Sequence, residues 1–269
     1  MSLIAGVLNV TPDSFHDGGK FTDVSAALTQ VEAMLAAGAD LIDIGGESTG
    51  PGSSDVSLEE ERRRVIPVVE AVMDKFPQAK ISVDTYKAQI ARDAIAAGAA
   101  MINDVTAGRG DPQMFSVVAR SNAELVLMYG KDSTARTTIA DAQYEDVVAT
   151  VSAFLAERRD AAIAAGIPRE RILLDPGLGH FISSNARYSL ELIARLSELR
   201  TLGCRIFLSP SRKSFVAGSE KLKTVDRLPG TIAASAIAAL NGADIIRTHD
   251  VLEVRRACEI AEAIKGQMR

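Results

Sequence analysis

Asp, Asn, Arg, Lys and His recur at one kind of place in this 269-residue chain, the last residue or two of a short apolar run. The run at 3–9 ends in Asn9, and later ones end in Asp43, Asp84, Asn103-Asp104, Met128-Tyr129 and Asp175. The final two lead into Ser211-Arg212-Lys213-Ser214 and into Arg247 and His249. Any single member can be a cap or turn residue, because Asp and Asn readily bond their own backbone. Seven polar ends out of eight runs call for a common cause. Asp84, Asn103 and Asp175 are acceptors and amides suited to the edge of a planar, donor-rich heterocycle such as an aminopyrimidinone. Without such a ligand, buried carboxylates are costly. Arg212, Lys213, Arg247 and His249 form a cationic group, and guanidinium grips phosphate with two parallel hydrogen bonds. The chemistry this suggests is a planar heterocycle held centrally, with a phosphate-bearing arm toward the last two runs and the first.

The elements that must position these residues follow a repeating pattern. An Ala-rich amphipathic stretch ends in Gly, and a short β-branched run follows, as in AAGADLIDI at 36–44, AAGAAMIND at 96–104 and NGADIIRTH at 241–249. Glycine after a helix takes the left-handed conformation without a Cβ penalty and so marks each helix end. Nearly continuous apolar runs suit parallel strands buried on both faces. The pattern predicts strands near 3–9, 39–44, 79–84, 99–104, 124–129, 171–175, 204–209 and 243–248. It predicts helices near 23–37, 57–76, 87–97, 112–121, 140–165, 188–201, 226–241 and 251–265. Ser57 and Glu60 have capping-box spacing. Eight βα units point to an α/β fold, a single (β/α)8 TIM barrel whose active site lies at the C-terminal ends of the strands. The competing doubly wound open sheet often has a Gly-rich first turn, whereas NVTPDSF follows the first strand here. No linker divides the chain, so residues 1–269 are expected to form one domain. The Gly/Ser/Pro-rich stretches 45–54 and 106–112 sit directly after strands, where barrel active-site loops belong.

Composition narrows the classes. With 47% apolar and 24% charged residues the chain reads as an ordinary globular protein. A net charge of −5, from 30 basic and 35 acidic residues, argues against nonspecific nucleic-acid binding. Two cysteines, Cys204 and Cys258, are too few for a disulfide scaffold and match no zinc spacing. MSLIAGVLNV lacks the basic start of a signal peptide, and no apolar run reaches transmembrane length, so the expectation is a cytoplasmic protein without a membrane partner.

Seven motifs in order resemble dihydropteroate synthase: NVTPDSF at 9–15, DIGGEST with a following PG around 43–52, ISVDTYK at 81–87, INDV at 102–105, LDPGLG at 174–179, SRKSF at 211–215 and IIRTHDV at 245–251. Each is short, but together they span nearly the whole chain. The resemblance implies a folate-pathway transferase of (β/α)8 fold. It would join 6-hydroxymethyl-7,8-dihydropterin diphosphate to 4-aminobenzoate by a dissociative displacement, releasing pyrophosphate and 7,8-dihydropteroate. It implies pterin contacts from Asp84, Asn103, Met128, Asp175, Lys213 and Arg247, with Arg247 stacking on the ring while reaching the diphosphate. Asn9, Arg247 and His249 would bind the diphosphate, with Asn9 near Mg²⁺. Thr49, Pro51 and Ser214 would neighbour the aminobenzoate. The catalytic group would be Asp84, Lys213, Arg247 and His249. Segments 10–21 and 46–54 would close over the site, and the enzyme would be a homodimer.

The sequence departs from the family pattern at Gly50 (commonly Arg), at Tyr129 (commonly His), at Gly179-His180-Phe181-Ile182 and at Ser209-Pro210. These changes gather on the side of the second substrate. They leave three functional readings: an active synthase with a remodelled second pocket, a pterin-binding paralogue without synthase activity, and a pterin-dependent methyl transferase. His180 is either a replacement anion contact or an exposed loop histidine. Glu59-Glu60-Glu61-Arg62-Arg63-Arg64 is expected as a solvated helix face. Lys131 and Arg136 are expected as surface charges or part of a lid. His16, Asp17 and Lys20 are candidates to touch diphosphate or metal.

Overall fold

The computed structural model describes residues 1–11 and 20–267, without the side chains of 20–23. Its strands are β1 (Leu3–Asn9), β2 (Leu41–Gly45), β3 (Ile81–Asp84), β4 (Met101–Asp104), β5 (Glu124–Met128), β6 (Ile172–Asp175), β7 (Arg205–Leu208) and β8 (Ile245–Thr248). They pair in parallel in chain order and close on themselves, β8 bonding to β1. The helices are α1 (Lys20–Ala36), α2 (Leu58–Lys75), α3 (Ala88–Ala96), α4 (Met114–Ala119), α5 (Val147–Ala164), α6 (Ala186–Ala194), α7 (Leu228–Leu240) and α8 (Val251–Gln267). This is the expected (β/α)8 barrel. Four of the eight strands, β2, β3, β4 and β8, begin two residues later than the apolar pattern suggests, because the residues just before them serve the turn that follows the helix. The helix expected over 140–165 starts only at Val147, capped by the Asp146 side chain, which accepts from Ala149 N at 3.0 Å. Among the described residues no helix is long and apolar enough to cross a membrane.

Strand alternation then sorts the side chains. Ile4, Leu8, Ile42, Ile44, Val83, Ile102 and Leu174 face the helices in the large outer core. The alternate positions Ala5, Leu41, Met101, Val126, Leu173, Phe207 and Ile245 form a separate apolar plug inside the barrel. One step of two residues toward the C-terminal ends gives Asp43, Asn103, Met128, Asp175 and Arg247, so the same alternation that fills the barrel also lines its mouth. Register agrees: Asp84 lies opposite Asn103, and Met128 opposite Asp175.

The acidic and basic run at 59–64 is only partly solvated. Glu60 pairs with Arg63 and Arg64, but Glu61 is 1% exposed and binds Lys87. The 3.6-residue period turns that one carboxylate inward. Ser57 caps α2 as its spacing predicts, accepting from Glu60 N at 3.2 Å.

Candidate active site

At the mouth, Arg247 from β8 reaches across the barrel. Its Nε donates to Asp43 of β2, and a terminal nitrogen donates to Asp84 Oδ2 of β3 at 3.1 Å. Asn103 Nδ2 of β4 donates to the same Asp43 Oδ2 at 3.3 Å. Asp43 Oδ1, Asn103 Oδ1 and Ser82 Oγ are buried and have no hydrogen-bond partner among the described residues. Such orphaned atoms carry a desolvation cost of ~1–3 kcal/mol each unless a ligand or water meets them. Asp175 of β6 is 2% exposed, and its Oδ1 accepts from Gly177 N at 2.8 Å. Gly177 has φ +68°, and a Cβ there would stand 2.3 Å from the Tyr129 carbonyl oxygen, so only glycine closes this turn. Met128 packs with Val105 and Ala135 beside Phe181, giving the mouth one apolar wall.

The mouth is balanced near neutrality. Burial pushes Asp84 up to about 7 and Asp175 up to about 6, despite the opposing charges of Arg247 and Lys213. Burial likewise pulls Lys213, on the loop after β7, down to about 8. Burial also opposes the Arg247 charge, but Asp43 and Asp84 outweigh it and hold the guanidinium above its ordinary value. Groups displaced toward working pH in this way are common at sites that bind or process charged ligands.

His249 sits at the rim, its Nδ1 2.9 Å from Ser211 Oγ, while its backbone N donates to the same oxygen at 3.1 Å. Partial burial and the Arg247 charge hold the imidazole below its usual range. Asn9 ends β1 opposite Gly45, with its side-chain oxygen 3.9 Å from where a Gly45 Cβ would be. Two strand-end residues do other work. Arg212 does not join the cationic group, because Asp250 takes it as a two-pronged partner, at 2.9 Å on Nε. Asp104 is consumed by its own loop, accepting from Thr106 N at 2.8 Å and Gly108 N at 2.7 Å.

A cavity of about 280 Å³ opens beside the mouth, lined by Gly50, Pro51, Thr137, His180, Phe181, Lys213, Ser214 and Arg227, with Leu178. It is roomy for a benzoate-sized ring, since a cavity of ~150 Å³ accepts benzene. Pro51 and Ser214, expected near the second substrate, stand on its wall; Thr49 lies just behind, its carbonyl accepting from Thr137 N at 3.1 Å. His180 is on the wall rather than on an open loop, and its buried Nδ1 has no partner among the described residues. Lys131 and Arg136 are not loose surface charges. Their side chains are 8% and 21% exposed, and both reach neighbouring loops, Lys131 at the His180 carbonyl and Arg136 at Glu47. Segment 46–54 is tied by the same contacts. Most of segment 10–21, with His16, Asp17 and the side chain of Lys20, lies outside the described residues.

Sequence reasoning left four participants without a role. Asp43 and Ser211 stand at strand ends and were findable by position. Thr137 and Arg227 lie on loops, where no periodicity marks them.

The sequence matches the pterin binding enzyme family over residues 5–249. It is 40% identical to the dihydropteroate synthase of Clostridium beijerinckii over 262 residues, which cover 97% of this chain and 93% of that one. It is 44% identical over 99% of its length to a probable bifunctional folylpolyglutamate synthase/dihydropteroate synthase of Haloferax volcanii, and it spans only 31% of that longer protein. The structure of the Xanthomonas albilineans dihydropteroate synthase with 4-aminobenzoic acid matches with a TM-score of 0.90 at 41% identity, over 98% of this chain and 93% of that one. With its barrel, its polar mouth and its family match in agreement, the chain belongs to the pterin binding enzymes and, among them, to the dihydropteroate synthases.

Proposed function

We propose that this chain condenses 6-hydroxymethyl-7,8-dihydropterin diphosphate with 4-aminobenzoate, giving 7,8-dihydropteroate and pyrophosphate. One observation carries the reading. Lys213 belongs to both compartments: its charge faces Asp175, Arg247 and Asp84 in the mouth, and its side chain lines the adjoining cavity. A pterin in the mouth and an arylamine in the cavity would meet beside it.

The pterin edge, rich in N–H donors, meets Asp84, Asn103 and Asp175, with Met128 against the ring face and Lys213 on the carbonyl side. Arg247 and His249 receive the diphosphate. The carbon–oxygen bond to the diphosphate breaks, and its electron pair leaves with the diphosphate. The methylene cation is delocalised into the pterin ring, and the nearby Asp84 carboxylate offsets its charge. The amine nitrogen then bonds to that carbon and loses a proton. Little acid–base work is asked of the protein, so the catalysis rests on orientation, charge stabilisation and exclusion of water.

Magnesium belongs to the same reading, and the donor set fits. Among the described residues no group of three or more His, Cys, Asp or Glu could hold a metal alone. Mg²⁺ characteristically completes its shell with substrate phosphates and water, needing few protein oxygens. Asn9 would supply one such oxygen, and the ion would neutralise charge on the departing diphosphate. A homodimer is also proposed, supported by exposed Ile237 on α7 and exposed Ile260 and Ile264 on the neighbouring α8. The free thiols of Cys204 and Cys258 support a reducing, cytoplasmic setting.

The test is a pyrophosphate-release assay with the pterin diphosphate and Mg²⁺, with and without 4-aminobenzoate. Amine-dependent release with a dihydropteroate product is expected. Binding of the pterin diphosphate without any product would instead make the chain a pterin-binding paralogue.

A further inference from the structure

We infer that Arg136 and Thr137, on the loop between β5 and α5, are positioning residues for the second substrate, clamping the two facing walls of its cavity together. The inference rests on the reading that this cavity takes the arylamine. One wall is Gly50-Pro51 and the other is His180-Phe181. Neither belongs to a strand, so neither is held by the barrel's hydrogen-bond ladder.

Thr137 spans the gap. Its backbone N–H donates to the Thr49 carbonyl at 3.1 Å, beside Gly50. Its hydroxyl lies 2.7 Å from the His180 carbonyl oxygen and 2.9 Å from Asp132 Oδ2. The Lys131 ammonium reinforces the second wall, donating to the His180 carbonyl at 2.8 Å and to Asp132 at 2.6 Å. The loop is thereby folded on itself and fastened to the wall by two separate groups.

Arg136 fastens the opposite side. Its guanidinium donates to Glu47 and to the Ser54 carbonyl at 2.8 Å, and it pairs with Asp55. Glu47 and Ser54-Asp55 are the two ends of the segment that carries Gly50 and Pro51, so one side chain closes that segment into a ring. Glu47 is itself fixed, its side chain 3% exposed and bound by Lys87 and by the Tyr86 hydroxyl at 3.1 Å. Burial pushes the Glu47 carboxyl up, but Lys87 and Arg136 outweigh it and hold the group below its usual range. It is therefore a carboxylate, and its bond to Arg136 is charge-assisted. A planar fork that meets three acceptors has no close substitute; lysine supplies the charge but not the fork.

Steady-state kinetics and amide hydrogen exchange on the full chain test this. In Arg136→Gln and in Thr137→Val the KM for 4-aminobenzoate rises about tenfold, while that for the pterin diphosphate stays within about twofold. Arg136→Lys recovers part of the loss. Amides of residues 48–54 exchange faster in Arg136→Gln, and those of the strands do not. Equal rises in both KM values overturn the inference, as does unchanged exchange over 48–54. If the unsubstituted chain makes no dihydropteroate, the functional reading fails, and the clamp is then decided by the exchange of 48–54 alone.

Discussion

The barrel mouth and the cavity beside it are built in opposite ways. Asp43, Asp84, Asn103, Asp175 and Arg247 stand on strands, at inward positions that the closed sheet fixes through its register. The cavity's wall residues come from loops and turns after β2, β5, β6 and β7, with Arg227 just before α7. The mouth pre-forms its charges, and three buried polar atoms there have no partner among the described residues. The cavity is instead held by side chains that reach from loop to loop. A rigid floor can demand one ligand shape, since its dipoles need no reorganisation on binding. A loop-built wall can change its lining residues without touching the barrel. On the proposed reading, the pocket for the heterocycle follows from the strand register, while the pocket for the second substrate can vary with its loops.

The largest effect should come from the floor. Arg247→Leu leaves the fully buried Asp43 without its cationic partner, and unfolding free energy in urea should fall by ~3–5 kcal/mol. A loss under ~1 kcal/mol would mean that the mouth is not pre-formed around this ion pair. Next, Lys213→Ala and Asp175→Asn should each weaken binding of the pterin diphosphate by ~1.5–3 kcal/mol, read by titration calorimetry. Unchanged affinity in both would remove the heterocycle from the strand ends.

The pH dependence sharpens the same contrast. Burial raises Asp175 from its ordinary 3.8 to about 6, so the folded protein holds this proton more tightly than the unfolded chain does. The stability it contributes is full below its ordinary value and is lost as pH rises through about 6. Pterin binding runs the other way, because N–H donors require the ionised carboxylate. Affinity should fall as pH drops through about 7 and then about 6, where Asp84 and Asp175 take up protons, and Asp175→Asn should remove the lower step. A flat profile in the unsubstituted protein would separate Asp175 from the pterin.

The smallest effects belong to the cavity. Ser214→Ala should raise the KM for 4-aminobenzoate by about two- to tenfold, equivalent to ~0.5–1.5 kcal/mol, with pterin affinity unchanged. Gly50→Arg should fold normally, since a Cβ there meets only Ser48 Oγ at 3.6 Å, and should alter only the arylamine KM. If Ser214→Ala proved costlier than Asp175→Asn, the division into a rigid floor and an adjustable wall would be wrong.

Much of the floor was legible in the sequence. A Gly-ended helix followed by a short β-branched run recurs five times, eight such apolar runs can be counted, and each run ends where its polar residue must face inward or outward by period two. That logic finds Asp84, Asn103, Asp175 and Arg247. It also admits Asp104, which falls on the opposite side of the alternation and caps its own loop, and Arg212, which Asp250 captures. The run Glu59–Arg64 shows the same limit, because a single turn of α2 buried Glu61 against Lys87.

What the sequence alone determined was therefore periodic: the eight βα units, the direction of the strands and the set of residues at the barrel mouth. Local spacing suffices for these because neighbouring residues repeat the same geometry. Only the tertiary structure decided which charges pair across the chain. Arg136 meets Glu47 across 89 positions, Arg247 meets Asp43 across 204, and Thr137 reaches His180 across 43. No period links such residues. Barrel closure brings β8 beside β1, and the loops above the strands then take whatever partners that closure places within reach.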